Sequence, residues 1–183
     1  MSCLAARTDA QLFTHICGPV GGRSGAVAVV IFKVTYTGAA GMKTRELNRI
    51  MTEAWGKAGV LYHRRMLPKR FTEEGARELH YTGRSSQYQR RKKAVKGHNL
   101  PFVWTGSTRD ASRLQDVRPY STGGEGGVKI VTHARVLNFQ PGLLEEFTSV
   151  SAAERRQIEK MLSQEVEYGI ARSRNRRVVN IRG

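Results

Sequence analysis

Residues 67–114 read LPKRFTEEGARELHYTGRSSQYQRRKKAVKGHNLPFVWTGSTRDASRL, and the fold turns on how this stretch divides. Pro68 is expected to stop a helix arriving from upstream, because the residue before a proline avoids helical angles. Thr72 has the side chain to cap a new helix, with Glu73 and Glu74 in its first turn, where negative charge suits the helix dipole. That helix is expected to end near Tyr81, with Gly83 as its terminator. A cationic run follows, Arg84, Arg90, Arg91, Lys92, Lys93 and Lys96, with no acid among them. Residues 86–95 suit a helix whose apolar anchors are Tyr88 and Val95. Residues 97–99 turn the chain, and 100–104 read as a short strand or extended piece. Thr105-Gly106 then turns into a short helix over 107–114, capped by Ser107 or Thr108. The stretch is a frame carrying one charged insert.

Upstream, residues 1–25 are small, polar and glycine-rich towards their end, and are expected to form a flexible arm. The glycines at 18–25 lack the Gly-Lys-Ser/Thr that a phosphate loop needs. In 26–37, Val30, Phe32, Val34 and Tyr36 alternate with Lys33, Thr35 and Thr37, the period of a strand. Thr44 is placed to cap a helix running to about Leu67. Its buried face is Leu47, Ile50, Met51, Ala54, Ala58 and Leu61. Gly56 and Gly59 each weaken that helix by about 1 kcal/mol relative to Ala, and so mark a bend or a close helix contact.

Downstream, 117–120 and 128–133 flank the glycine-rich run 123–127 and read as a β-hairpin, extended by 135–139. Pro141 and Gly142 break the chain before a short helix at 143–147. Ser151 and Glu154 form a capping box, and Ile158, Met161, Leu162, Val166 and Ile170 stripe the helix it starts. From Arg172 onward come Arg174, Arg176, Arg177 and Arg182 with no acid. This reads as a mobile basic tail, or one whose Val178, Val179 and Ile181 add a strand to a partner's sheet. The fold expected is α+β, long helices packed on a small, mostly antiparallel sheet. It is divided as an arm at 1–25, one domain at 26–172 and a basic C-terminal tail at 173–183.

The bulk charge narrows the function. In 183 residues, 31 Lys and Arg face 15 acids, leaving a net charge of +16. Such an excess points to contact with a polyanion or with acidic partner subunits. The candidate contacts are Arg84, Arg90, Arg91, Lys92, Lys93 and Lys96, with Arg174, Arg176 and Arg177 in the tail. Tyr81, Tyr88, Phe102 and Trp104 lie close by. Stacking on bases is open to them, but they read better as packed anchors. The longest apolar run, 26–32, falls far short of the ~20 residues of a spanning helix, so no membrane is implied.

No catalytic constellation converges. The paired carboxylates Glu73/Glu74 and Glu145/Glu146 are neighbours pointing about 100° apart on a helix, so neither pair shares a site. The two cysteines, Cys3 and Cys17, have no CxxC spacing, and His15 with Cys17 has no second pair for zinc. His98-Asn99 lacks the flanking pattern of a metal nuclease. No enzyme, metal or cofactor is expected.

In order, the upstream helix, LPKRF at 67–71, the Tyr88–Lys92 segment, the apolar piece ending at Val103, Thr105-Gly106 and the Arg109 helix form a pattern. It resembles the tailed-phage virion morphogenesis proteins of the tail-completion or neck (head–tail connector) type. The matching positions are Phe71, Tyr88, Lys92, Val103, Thr105, Gly106 and Arg109, within a resemblance spanning 44–170. The resemblance implies a structural protein of the virion, at the head–tail junction or the upper tail end. It would form a homo-oligomeric ring around the DNA channel and join neighbouring neck or tail proteins, after assembly in the host cytoplasm. The charge alone supports an alternative, a basic accessory protein that binds nucleic acid without sequence preference. A nuclease with an unrecognised metal site near His98 is a third.

Overall fold

The computed structural model describes residues 29–35, 42–122, 125–132 and 141–181, with side chains described over 42–122, 125–132 and 142–173. The arm at 1–25, His133 and the proposed strand extension at 135–139 lie outside the described residues. The architecture is α+β: helices packed on a three-stranded antiparallel sheet.

Strand β1, Val29–Thr35, pairs with β3, Glu125–Val131, and β3 pairs with β2, Asp116–Thr122. The order is β1-β3-β2, so the last strand in sequence is the central one. The hairpin is tighter than the glycine run suggested. Thr122 lies opposite Glu125, and Gly126 and Gly127 belong to β3, opposite Ser121 and Tyr120.

Helix α1, Thr44–Leu61, lies across this sheet. Lys43, not Thr44, is its N-cap residue, and no side chain closes that end; the Lys43 carbonyl receives the amides of Glu46 and Leu47. Its buried face is the expected one with Trp55 and Gly59 added and Leu61 only half-buried, and Trp55 is completely enclosed. Gly59 explains itself by space. A Cβ there would stand 2.5 Å from Val117 Cγ1 and 2.8 Å from Val128 Cγ2. The close contact is with the sheet, not with another helix. The helical cost of glycine, about 1 kcal/mol, is smaller than the overlap it avoids.

Pro68 does not stop the chain's coiling. After Leu61 the helix widens into a π-turn, Tyr62–Met66, then tightens into a 3-10 turn, Leu67–Phe71. Pro68 sits in the first turn of that 3-10 segment, where its missing N–H leaves nothing unsatisfied. The register change lets Tyr62, Met66, Leu67 and Phe71 all face inward.

Thr72 caps helix α2, Glu73–Glu78, by accepting the Gly75 amide at 3.0 Å. Gly75 is required there, since a Cβ would meet the Lys69 carbonyl oxygen at 1.9 Å. The helix ends before Tyr81, and Gly83 is not the terminator. His80 takes the left-handed conformation (φ 52°), and the Tyr81 amide returns to Ala76 O at 3.0 Å.

Helix α3, Ser86–Lys96, is capped by Ser85 and closed by Gly97 in the left-handed conformation. Residues 100–104 are not a strand. Phe102 is left-handed (φ 52°), a strain of order 1–2 kcal/mol offset by edge-to-face packing on Tyr81 and Phe147. Helix α4, Ser107–Ala111, is capped by Gly106 with no side-chain bond, not by Ser107 or Thr108.

Helix α5, Pro141–Thr148, contributes the fully buried Phe147. Helix α6, Ala152–Ile181, starts on the predicted capping box, with Glu154 N to Ser151 Oγ and Ser151 N to Glu154 Oε2 both at 3.1 Å. It runs antiparallel to α1. Lys57 meets Glu165 at 2.5 Å, Gly169 faces Ile50, and Ser173 bonds Glu46. The helix continues through Ile181, so the backbone at 173–181 is helical where a mobile tail or an added strand was expected. The heart of the core is Trp55, Tyr62, Met66, Val128, Ile130, Phe147 and Ile158.

Candidate polyanion interface

The six cations of the central run do not form one surface. Arg84 is turned inward onto Glu146, with Nη2 to Oε2 at 2.5 Å and Nη1 to Oε1 at 3.2 Å. The Thr82 amide donates to the same carboxylate at 2.9 Å. Burial pushes the Glu146 carboxyl up, but the bonds from Arg84 and Thr82 outweigh it and hold it below the usual carboxylate range. Arg84 fastens the start of α3 to α5.

Lys92 is the buried residue of α3, only 4% exposed, and its Nζ donates to the Leu100 carbonyl at 2.5 Å. Burial and the nearby Arg84 charge lower its pKa. The sequence offered Tyr88 and Val95 as the anchors of this helix. Instead the lysine is the anchor, Val95 is 61% exposed and Tyr88 is on the surface. A lysine can do this because its stem packs while its ammonium finds a carbonyl.

Arg90, Arg91, Lys93 and Lys96 are exposed. Successive helical residues turn by about 100°, so Arg91 and Lys93 flank the stripe of Tyr88, Lys92 and Lys96, and Arg90 lies opposite it. That stripe faces Trp104. The Tyr88 and Trp104 rings lie 5.8 Å apart at 34°. Lys92 Nζ sits 5.7 Å from the Tyr88 centroid and Lys96 Nζ 5.8 Å from the Trp104 centroid. These two aromatics were expected to be core anchors. They are exposed, while Tyr81 and Phe102 are the pair that packs inward. The rings border a groove of about 600 Å³ that Val103, Thr105, Ser107 and Leu143 also line.

The family-like positions separate by role. Phe71 and Val103 are in the core, Phe71 edge-to-face with Phe147 at 5.6 Å. Tyr88, Lys92, Thr105 and Gly106 line the groove. Arg109 is elsewhere, bordering a hollow with Arg64 and Arg113 over Leu67 and Phe71. His98 accepts the Leu100 amide at 3.3 Å through Nδ1 and shapes the turn beneath Lys92. The backbone places Arg174, Arg176 and Arg177 on the last turns of α6.

Sequence reasoning missed Glu146 as the counter-charge of Arg84, which lies 62 residues away. It missed Trp104 as an outward ring, because the left-handed Phe102 breaks the period that a strand at 100–104 would have kept. Comparison with family models, with curated proteins and with solved structures returns no match.

Proposed function

We propose that this chain is a structural subunit of a tailed-phage virion, at the neck or the upper end of the tail, with α3 turned towards the packaged DNA. It would assemble as a ring of identical copies that joins neighbouring neck or tail proteins. The observation that carries the reading is the state of α3. Arg84 and Lys92 are consumed in fixing the helix, and Arg90, Arg91, Lys93 and Lys96 stand exposed on a rigid element with no acid of its own. Charge held on a frame, indifferent to base sequence, suits a surface that DNA passes. The resemblance over 44–170 supplies the virion context, and its positions include both core residues and groove residues.

The experiment measures the native mass of the purified chain at two concentrations and looks for the chain in purified particles. The expected result is a concentration-dependent oligomer and a fixed copy number in particles. A monomer at both concentrations that is absent from particles overturns the reading.

A further inference from the structure

We propose that Trp104, backed by Tyr88, is a stacking platform for unpaired bases, so that the α3 surface takes single-stranded nucleic acid as well as the duplex its cations meet. The inference rests on α3 facing nucleic acid and names the form that its groove accepts.

The chain has two tryptophans, and they are treated in opposite ways. Trp55 is 0% exposed, whereas Trp104 is 37% exposed with Tyr88, 39% exposed, beside it. The two rings lie side by side at the surface, 5.8 Å apart, where a flat ligand can reach them. Each ring carries a lysine over its face, and the two lysines differ. Lys92 is fixed by its bond to the Leu100 carbonyl, whereas Lys96 is exposed. Lys96 can therefore leave Trp104 and follow a phosphate. A cation over an exposed ring is worth a factor of about 2–5, and a base stacked on an aromatic about 5–150. The exchange favours the base, and the departing ammonium gains a phosphate partner.

The rest of the groove fits the same ligand. Arg91 and Lys93 stand exposed to either side of the groove-facing stripe of α3, where a backbone leaving the groove would run. The Thr105 and Ser107 hydroxyls, bonded to each other at 2.9 Å, border the groove and keep lone pairs that suit base edges without demanding one base. Duplex bases are already stacked and cannot offer a face to Trp104. An acidic polypeptide would satisfy the cations but leave the ring without a flat partner.

The test uses the full chain. Oligo-dT and a matched duplex are titrated while tryptophan emission is followed, with Trp55→Phe used to isolate Trp104. Single strand is expected to quench Trp104. Trp104→Ala is expected to weaken oligo-dT binding about 5- to 150-fold with duplex affinity unchanged, and Trp104→Phe to keep most of the affinity. Arg90→Glu with Arg91→Glu and Lys93→Glu should weaken both ligands. Undiminished oligo-dT binding by Trp104→Ala overturns the platform while leaving α3 as a DNA surface, provided duplex still binds. Equal losses in Trp104→Ala and Trp104→Phe also overturn it. Binding of polyglutamate with quenching, and of neither nucleic acid, overturns both it and the DNA-facing reading.

Discussion

Arg70 and Glu154, 84 residues apart, form a buried two-pronged ion pair, Arg70 Nη2 to Glu154 Oε2 at 2.8 Å with Nη1 bonded to Oε1. The same carboxylate receives the Ser151 amide at 3.1 Å, so the group that caps α6 is also the counter-charge of the arginine ending the 3-10 turn. The guanidinium further donates to Met66 O at 2.9 Å and Ser149 O at 2.6 Å, and lies 5.1 Å from the Tyr62 ring centroid. Burial opposes its charge, but Tyr62 and Glu154 outweigh that and raise its pKa. Glu154→Ala would leave this cation buried and uncompensated. A loss of about 3–5 kcal/mol is expected by urea denaturation. Arg70→Met combined with Glu154→Leu should recover much of it. A loss below about 1 kcal/mol in the single variant would mean that the pair is not a structural tie.

Two glycines mark where α1 is approached most closely. A Cβ on Gly59 would stand 2.5 Å from Val117 Cγ1, and one on Gly169 would stand 2.5 Å from Ile50 Cγ2. Alanine at either position is expected to destabilise by about 1–3 kcal/mol despite its better helix propensity. Gly83→Ala, where nothing lies within 4 Å, should be near neutral. Thermal melts of the three variants decide it.

Glu146 and Glu78 titrate below the usual carboxylate range in the fold. Glu78 is held down chiefly by the Ser151 hydroxyl, and Glu146 by Arg84 and Thr82 against its burial. A depressed folded-state pKa means that the unfolded chain binds more protons at acid pH. Their contribution is therefore present above the unfolded carboxyl pKa of about 4.3 and is lost as pH falls through the lower folded values. Glu146→Gln should flatten the fall in melting temperature below that pH. An unchanged acid limb would remove Glu146 from the acid response.

Neighbouring lysines on α3 should behave oppositely. Lys93 is exposed, so Lys93→Glu should change stability by no more than about 0.5 kcal/mol. Lys92→Glu buries a carboxylate against the Leu100 carbonyl and should cost about 3 kcal/mol or more. Equal melting temperatures would show that Lys92 does not anchor the helix.

Local rules reached the elements whose physics is local. Thr72, the helix at 86–95 ended by a turn at 97–99, and the Ser151–Glu154 box depend on residues within a turn of themselves, and the alternation at 29–35 is a strand's own signature. They failed where a distant partner decides. Lys92 reads as one more solvated cation until the Leu100 carbonyl folds over it. Nothing within a turn of Arg70 in the sequence announces its burial, and Glu154 comes to it from α6. Pro68 reads as a stop because nothing upstream announces the π-turn that shifts the register around it. Trp104 reads as core by composition, and the burial of Val103 with the inward packing of the half-buried Phe102 beside it decides otherwise.

The four exposed cations of α3 are the centre of the functional reading, and the salt dependence of duplex DNA binding tests them most directly. Each phosphate neutralised adds about −0.9 to the slope of log affinity against log salt. The native chain is expected to show a slope steeper by about 3–4 than a folded variant with Arg90, Arg91, Lys93 and Lys96 replaced by Gln. Equal slopes in the two folded proteins would contradict a DNA-facing α3.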